Sequence, residues 1–472
     1  MSKLNASDIQ GFSLRGYNMP YSRYCFLEFN APEDARALLL ALLPSVTTGQ
    51  LWDEKPQSTL NLAFTHRGLA ALHLPLATLI SFPVEFQLGM KARAAVLGDT
   101  GANAPEHWDS LWATDNVHVW LAIHGLSLDA IEKQFHALEA LLQSTGGARL
   151  LESQEACALC IGGEFNLKEH FGYTDGFGNP DYLGICRSAQ PGQGKLGADG
   201  KTWEPLATGE LLLGYADEAG ERPVCPVPHL LGVNGTFMVY RKIRQRVGTF
   251  RQFLNHWASR YGAGDDFAKE KLASKFIGRW RDGTPIELSP DRMDQNIVQD
   301  PNRSTNFLYR DDPEGTRCPL GAHIRRVNPR DAFGFEGRLI HRRRISRRGA
   351  PYGPAAPPED TPEGQDTEAL DAIDRGILFM ALNASLARQF EFVQQQWISY
   401  GNDARIGNEK DLLLAHHERG DRYGIQGDGS PSNPPLFCTG LPNFTELRGG
   451  DYFFIPSITA LEMLGRNLVD PR

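Results

Sequence analysis

Strand-like and helix-like segments alternate in both halves of this chain, and that alternation limits the folds it can adopt. In the first half, residues 22–29 are rich in aromatic side chains, and residues 116–125 alternate between apolar and polar ones as half-buried strands do. Residues 31–43 and 127–145 instead carry apolar side chains at helical spacing. The strands are too few and too short for a doubly wound parallel sheet. The sequence therefore predicts an α+β fold with antiparallel sheets.

The second half repeats this pattern after a loop rich in glycine, proline and polar residues at 187–209. Residues 234–245 are predicted to be a strand that runs into a helix, and residues 367–401 to combine a strand with a long helix. A chain of 472 residues is also too long for one hydrophobic core of ordinary size. We therefore expect an N-terminal domain at 1–186, a linker at 187–209 and a C-terminal domain at 210–472.

The charge balance and the apolar segments exclude several classes of partner. The chain has 48 basic and 57 acidic residues, a net charge of −9 that argues against nucleic acid and anionic membranes as partners. No stretch approaches the ~18 consecutive apolar residues of a membrane helix. The first twenty residues lack the apolar centre of a secretory signal, so we expect a cytoplasmic location. A homo-oligomer is compatible with the sequence.

The seven cysteines are scattered and odd in number, which fits a reducing compartment better than a disulfide framework. Cys157 and Cys160 form a CxxC pair, but no second pair supplies the other half of a zinc site. We expect the cysteines to be small buried residues.

The segment FGYTDGFGNPDYLG at 171–184 is the first candidate for chemistry. Gly172, Gly176 and Gly178 surround Asp175, and glycine frees the backbone to turn sharply and lets a bulky ligand approach closely. The alternative is an ordinary turn in which Asp175 bonds its own backbone.

The second candidate is His323 in CPLGAHIRRVNPRD at 318–331. A single histidine is more often a structural or surface residue than a ligand. However, Arg325, Arg326 and Arg330 lie close by, and such a cluster beside a potential iron ligand suits a cofactor with two propionates.

Two further segments contain charged residues among apolar ones. The six arginines of 337–354 include Arg347, and could form a solvated basic face or a nucleic-acid patch. The interleaved Leu339, Ile340 and Ile345 favour a strand that points some arginines inward. In the predicted helix 388–399, Glu391 is either solvated or the partner of a buried cation or N–H group.

In combination, these segments resemble the dye-decolourising peroxidase family, from about Tyr24 to the C-terminal DYFFIPSITALEML. The GxxDG around Asp175 resembles the distal-side signature of that family, GAHIRRVNPR its proximal-histidine segment and RRGAPYGP its distal-arginine segment. The segments GELLLGYADE, NGTFMVYRKIRQ and RQFEFVQQQW resemble its other recurring blocks. One departure is Tyr173, which stands where the family often has phenylalanine.

The resemblance implies two ferredoxin-like α+β domains and one non-covalent haem b per chain, held mainly by the C-terminal domain. His323 would be the axial iron ligand, through its Nε atom, and Glu391 would accept the N–H of the other ring nitrogen. Arg330 would contact a haem propionate. Asp175, Arg347 and Phe379 would line the opposite, distal face.

The implied activity is the reduction of hydrogen peroxide and the one-electron oxidation of organic donors such as bulky dyes and phenolic compounds. Asp175 would move a proton between the two peroxide oxygens, and a carboxylate remains a base in acid, so we expect the best activity at acid pH. Arg347 would stabilise the negative charge that develops.

Two questions stay open at this point. Tyr352 and Trp397 match family positions for surface aromatics that relay electrons, although either could simply be packed. A non-catalytic haem carrier or sensor and an interaction module without cofactor are the alternative functions. The presence of both a distal acid and a distal arginine favours the enzyme.

Overall fold

The computed structural model describes residues 4–186, 188–262, 264–431 and 433–470. These residues form a nine-stranded sheet in which every pair of neighbouring strands is antiparallel. In chain order its strands are β1 (Tyr21–Phe29), β2 (Ser58–Phe64), β3 (Val119–Gly125), β4 (Ala148–Cys157), β5 (Thr236–Gln245), β6 (Ser346–Arg347), β7 (Ala350–Tyr352), β8 (Gly376–Asn383) and β9 (Thr445–Ile455). Separate two-stranded hairpins pair Cys160–Ile161 with Glu164–Phe165, Lys195–Leu196 with Trp203–Glu204, and Arg422–Ile425 with Leu436–Thr439.

The strand order is β6-β8-β5-β9-β2-β3-β1-β4, and β7 also pairs with β8. In the first half β4 lies beside β1, followed by β3 and β2. In the second half β9 lies beside β5, followed by β8 and then by β6 and β7, which both pair with β8. Both halves therefore have the ferredoxin-like order. The two halves join where Phe454 of β9 pairs with Phe64 of β2, and one hydrophobic core includes buried residues of both. The predicted α+β fold with antiparallel sheets is therefore confirmed.

The helices used below connect strands along the chain, except for the last one, which follows β9. They are α1 (Pro32–Leu42), α2 (Leu128–Thr145), α3 (Val247–Ala258), α4 (Asp266–Ile277), α5 (His323–Val327, a short helix that matters for the site) and α6 (Ile458–Gly465). Shorter helical turns are at Gly11–Leu14, Leu43–Ser45, His66–Ala71, Leu76–Leu79, Val84–Ala92, Ala94–Leu97, Gly101–Asn103, Pro105–His107, Ser110–Ala113, Thr208–Glu210, His229–Gly232, Gln295–Val298, Phe335–Gly337, Arg338–His341, Pro362–Gln365, Thr367–Ala372 and Asn402–Ala404. In the part of the chain that the structure describes, no helix is both long enough and apolar enough to cross a bilayer.

Three predicted elements differ from the structure. Residues 236–245 are strand throughout, because β5 is central and its backbone pairs with β8 and β9 on both sides. In the arginine-rich segment, only Ser346–Arg347 and Ala350–Tyr352 are strand, and Arg338–His341 is a helical turn. The predicted long helix is instead a π-helix over Ala387–Glu391 and Val393–Ile398, called the wide helix below. Some of its backbone N–H groups donate to the carbonyl oxygen of the fifth preceding residue.

The segment predicted as a linker packs against the later part of the chain. Arg187 lies outside the described residues, but in the rest the hydroxyl group of Thr305 donates to the carbonyl oxygen of Pro191 at 2.6 Å. A Cβ added to Gly192 would lie 1.7 Å from the carbonyl oxygen of Thr305. The predicted domain boundaries stay a prediction.

All seven cysteines are free, and their burial varies. Cys25, Cys318 and Cys438 are buried as expected, but Cys160 is exposed, because it lies in a short hairpin outside the main sheet. Within the described ranges, no group of three or more histidine, cysteine or acidic residues could hold a metal ion.

Candidate active site

A cavity of about 280 Å³ lies on one face of the C-terminal half of the sheet. Alternate residues of a strand share a face, and this face of the sheet contributes Arg241, Ile243 and Gln245 of β5, Ile377 and Phe379 of β8, and Thr445 and Leu447 of β9. The other walls come from α5, the wide helix, the glycine-rich turn and the arginine-rich segment. His323, Arg330, Phe379, Asp175 and Arg347 all line this one cavity.

His323 is the first residue of α5, and Asp411 determines which of its ring nitrogens faces a ligand. The Nδ1 atom of His323 lies 3.0 Å from Oδ2 of Asp411, whose side chain is completely buried. The other carboxylate oxygen of Asp411 accepts the backbone N–H groups of Leu413 and Leu414 at 3.1 and 2.9 Å. Burial raises the pKa of Asp411, but the bonded His323 ring and the Arg326 charge outweigh it and hold the pKa at about 2. An ionised Asp411 fixes the proton on Nδ1, which leaves the Nε2 lone pair for a metal ion.

The prediction that Glu391 accepts this N–H is wrong. Glu391 accepts a two-pronged ion pair from Arg93, at 2.9 Å from Nε and 2.6 Å from Nη2, and a hydrogen bond from the Tyr452 hydroxyl at 2.9 Å. Glu391 is thus buried beside a cation, which is one of the two alternatives that its apolar neighbours suggested. It lies on the wide helix but does not line the cavity. Sequence reasoning missed Asp411, which lies 88 residues after His323. The available signal was a carboxylate directly before three leucines.

Asp175 lies in a turn that only glycine-rich sequence can form. Gly172, Gly176 and Gly178 have φ values of 95°, 98° and 79°, in the region that side chains disfavour. The Asp175 carboxylate accepts the N–H of Gly176 at 2.7 Å and Nη1 of Arg347 at 2.9 Å through the same oxygen, Oδ1. Its side chain is 43% exposed, and it lines the cavity. The turn interpretation is therefore confirmed, and Asp175 also faces a ligand-sized space, while its role in chemistry stays a prediction.

Arg347 is held at the cavity by the same turn. Its Nη2 donates to the carbonyl oxygen of Phe177 at 3.0 Å, and its backbone N–H donates to the Asn179 side chain at 2.9 Å. Burial raises the pKa of Asp175, but the Arg347 charge and the Gly176 N–H outweigh it, so the pKa lies below its ordinary value. Arg348 points away from the cavity, and its Nε donates to the carbonyl oxygen of Phe12 at 3.2 Å.

Three further arginines form a cationic wall of the cavity: Arg279, Arg330 and Arg344. Their hydrogen-bond partners in the described chain are the carbonyl oxygens of Gly283, Ser304, Thr305, Phe307 and Gly178. Burial, with the Arg330 charge, lowers the pKa of Arg279 to about 9 and that of Arg344 to about 10. The Tyr309 hydroxyl lines the same wall, buried and with no partner in the described chain. Buried cations that form no ion pair within the described residues fit a ligand that carries carboxylates.

The histidine donor and the arginine wall of the cavity fit a haem. The imidazole Nε2 of His323 suits iron, the uncompensated arginines suit two propionates, and apolar side chains form much of the remaining lining. Phe379 lines the cavity beside Phe390, with ring centroids 6.3 Å apart. Tyr352 and Trp397 are only 3% and 4% exposed, so neither is a surface aromatic.

The known proteins that this chain resembles are dye-decolourising peroxidases. Residues 8–150 match the family model described as "DyP dimeric alpha+beta barrel domain". The chain is 28% identical over 479 residues to dye-decolorizing peroxidase msp1 of Mycetinis scorodonius, covering 97% of this chain and 87% of the relative. It is 31% identical over 312 residues to the multifunctional dye peroxidase DyP2 of Amycolatopsis sp., covering 63% and 61%.

Solved structures give the same result over almost the whole chain. An ancestral D-type dye decolorizing peroxidase superposes with a TM-score of 0.80 at 28% identity, covering 98% of this chain and 99% of that one. A fungal DyP-type peroxidase from Auricularia auricula-judae superposes with a TM-score of 0.81 at 26% identity, covering 98% and 100%. The predicted resemblance to dye-decolourising peroxidases is therefore confirmed over nearly the whole chain.

Proposed function

We propose that this protein is a haem peroxidase that reduces hydrogen peroxide while it oxidises dyes and phenolic compounds in one-electron steps. The observation that carries the proposal is the pairing of Asp175 with Arg347 in the cavity that His323 also lines. A carrier would need only the histidine. The family relatives described above are peroxidases, which supports the enzyme.

The proposed cofactor is one non-covalent haem b per chain, held mainly by the C-terminal half. His323 would bind the iron through Nε2, with Asp411 as the acceptor of its Nδ1–H. Arg330 would contact a propionate, and Phe379 would cover the distal side. The haem would supply the iron that binds hydrogen peroxide and takes up its oxidising equivalents.

Asp175 would act as the base and then as the acid. Its lowered pKa keeps the carboxylate ionised in moderately acid solution, where a histidine would already be protonated. In that state it can accept the proton of the near peroxide oxygen and return it to the departing one. We therefore propose that activity is best at acid pH.

Arg347 would stabilise charge without exchanging protons. Its Nη1 is already bonded to Asp175 and its Nη2 to the Phe177 carbonyl, so the guanidinium plane is fixed before peroxide arrives. A fixed cation stabilises the negative charge on the leaving oxygen without reorganisation.

We also propose a cellular location for the enzyme and the absence of a nucleic-acid partner. The seven free cysteines support a cytoplasmic location, and the net charge of −9 supports the absence of a nucleic-acid partner. A homo-oligomer is compatible with these features.

The test is to load the purified protein with haem, record its Soret band and mix it with hydrogen peroxide in a stopped-flow instrument. We expect a fast spectral change at acid pH that a phenolic donor or a dye then reverses over repeated cycles. A protein that binds haem but neither reacts with peroxide nor oxidises a donor would be a carrier instead.

A further inference from the structure

Glu169 is a second carboxylate at the cavity, six residues before Asp175, and the proposed reaction gives it no role. Its Oε1 accepts the backbone N–H of Tyr173 at 2.9 Å, and its Oε2 accepts the backbone N–H of Phe171 at 2.9 Å. Oε2 also accepts Nε2 of Gln245 at 2.5 Å. In the described chain, no lysine or arginine forms an ion pair with Glu169. This carboxylate is therefore stabilised by N–H groups alone.

These bonds close the turn that leads to Asp175. The Glu169 backbone N–H donates to the Tyr173 carbonyl at 3.0 Å, and the Gly172 N–H donates to the Glu169 carbonyl at 2.9 Å. Gly172 has a φ of 95°, which allows the chain to fold back so that two nearby N–H groups converge on one carboxylate. The orientation of the chain that reaches Asp175 thus depends on the Glu169 side chain.

Gln245 connects this turn to the sheet. It is the last residue of β5, pairs with Thr445 of β9 and is only 3% exposed. Its Nε2 reaches Glu169, while its Oε1 is buried with no partner in the described chain. A central strand is a rigid support, and catalysis is sensitive to displacements of about 1 Å.

We propose that Glu169 and Gln245 are positioning residues, which fasten the Asp175 turn to β5 and so fix the Asp175 carboxylate where peroxide binds. This inference rests on the proposed peroxidase function. Glu169 does not itself exchange protons with peroxide in this scheme.

The chemistry of the pair gives a specific test. A carboxylate accepts all three N–H groups, but the amide of Glu169→Gln has one oxygen and an NH₂ group that would face other donors. At least one of the three donors would then lose its acceptor. In the double variant Glu169→Gln/Gln245→Glu, one amide again meets one carboxylate, with the total charge of the parent. Residue 169 can then donate to residue 245 and accept the Tyr173 N–H, but the Phe171 N–H, which shares Oε2 of Glu169 with Gln245 in the parent, stays without an acceptor.

The experiment uses haem-loaded protein and two readouts. The first is the second-order rate constant for hydrogen peroxide in stopped flow. The second is the dissociation constant of cyanide, which binds without turnover and depends on a nearby base to take its proton. Thermal unfolding and the Soret band report the fold and haem content. The control is Glu164→Gln, the same change at an exposed position in the neighbouring hairpin.

We expect Glu169→Gln to lower both the peroxide rate and the cyanide affinity by about tenfold, the scale of a small displacement of the base. The double variant should recover part of both losses, because it restores the link between residues 169 and 245 but only one of the two side-chain bonds within the turn. Glu164→Gln should match the parent. Values for Glu169→Gln within about twofold of the parent overturn the inference, as does a double variant that is no better than Glu169→Gln.

If Glu169→Gln does not fold or bind haem, Gln245→Leu decides, since it removes the link to the sheet but keeps the bonds within the turn. An unchanged peroxide rate and cyanide affinity in Gln245→Leu would overturn the inference. A parent protein that does not react with peroxide would instead count against the proposed function.

Discussion

Replacing Arg347 with leucine tests the proposed distal pair most directly, because the next residue provides a matched control. Arg347 points into the cavity and bonds Asp175, whereas Arg348 points to the Phe12 carbonyl on the other side of the strand. Both substitutions remove one guanidinium group from the same segment. Only Arg347→Leu removes it from the place where peroxide would bind.

The loss expected for Arg347→Leu has two parts. Removing one charge contact to the developing negative oxygen slows the reaction with peroxide by about a hundredfold. In addition, the Arg347 charge lowers the pKa of Asp175, so its removal raises that pKa. A base with a lowered pKa loses its function as the pH falls through that value, so the acid limit of the rate should move to higher pH in Arg347→Leu.

Arg348→Leu should behave differently. Burial lowers the pKa of Arg348 to about 10, and its loss leaves a buried carbonyl of Phe12 without a donor. That change should reduce the free energy of unfolding by about 1–3 kcal/mol and leave the peroxide rate within a few-fold of the parent. Stopped-flow rates between pH 3 and pH 7 and thermal unfolding measure both effects. Equal rate losses in the two variants would refute the assigned orientation, and so would an unshifted acid limit in Arg347→Leu.

Four other substitutions have defined outcomes. His323→Ala should fold but retain little haem, measured by the Soret band, and a fully occupied site with the parental ferric spectrum would refute the ligand assignment. Asp411→Asn should weaken haem retention by about 10–100-fold in a transfer assay with apomyoglobin, because its one amide oxygen stays on the Leu413 and Leu414 N–H groups and an NH₂ group then faces Nδ1 of His323; unchanged retention would contradict this prediction. Asp175→Asn should keep its haem and react with peroxide at least about tenfold more slowly. If it reacts at the parental rate, Arg347 and water suffice. Gly192→Ala should lower the melting temperature, because its Cβ would lie 1.7 Å from the Thr305 carbonyl oxygen and its φ is 80°; an unchanged melting temperature would contradict this packing.

The sequence predicted the fold where apolar periodicity alone decides the structure. It failed at the end of β5, because residues 234–245 were predicted to run from a strand into a helix. In the structure the backbone of β5 pairs with β8 and β9, and acids from other segments pair with its basic side chains, including Asp109 with Lys242 at 2.9 Å and Glu446 with Arg244 at 3.1 Å. Such partners are distant in sequence, so the local pattern carries no sign of them.

The candidate site shows the same difference between residues marked by their local sequence and residues brought in by the tertiary fold. Asp175, His323 and Arg347 each lie in a local sequence of glycines or arginines that distinguishes them, and the structure brings all three to one cavity. Asp411 has no such local sequence, and only the tertiary fold brings it to His323. Of the two alternatives for Glu391, solvated or paired with a buried group, the second is confirmed, but its partner is Arg93 in the first half of the chain and not the His323 ring.

The ion pair between Glu391 and Arg93 helps to explain how a site built from both halves of the chain stays assembled. Asp175 comes from the part of the chain before the loop at 187–209, while His323 and Arg347 come from the part after it. The wide helix carries Phe390 and Val393 towards the cavity and Glu391 towards Arg93, so one element sets both the pocket lining and the docking of the halves.

A second buried pair, Asp99 with Arg241, joins the first half to β5 on the cavity wall. If the halves separated, each pair would leave partly buried charges uncompensated, which favours one specific docking over approximate ones. Asp175 and His323 are therefore held in one cavity with the help of contacts that lie outside the proposed chemistry.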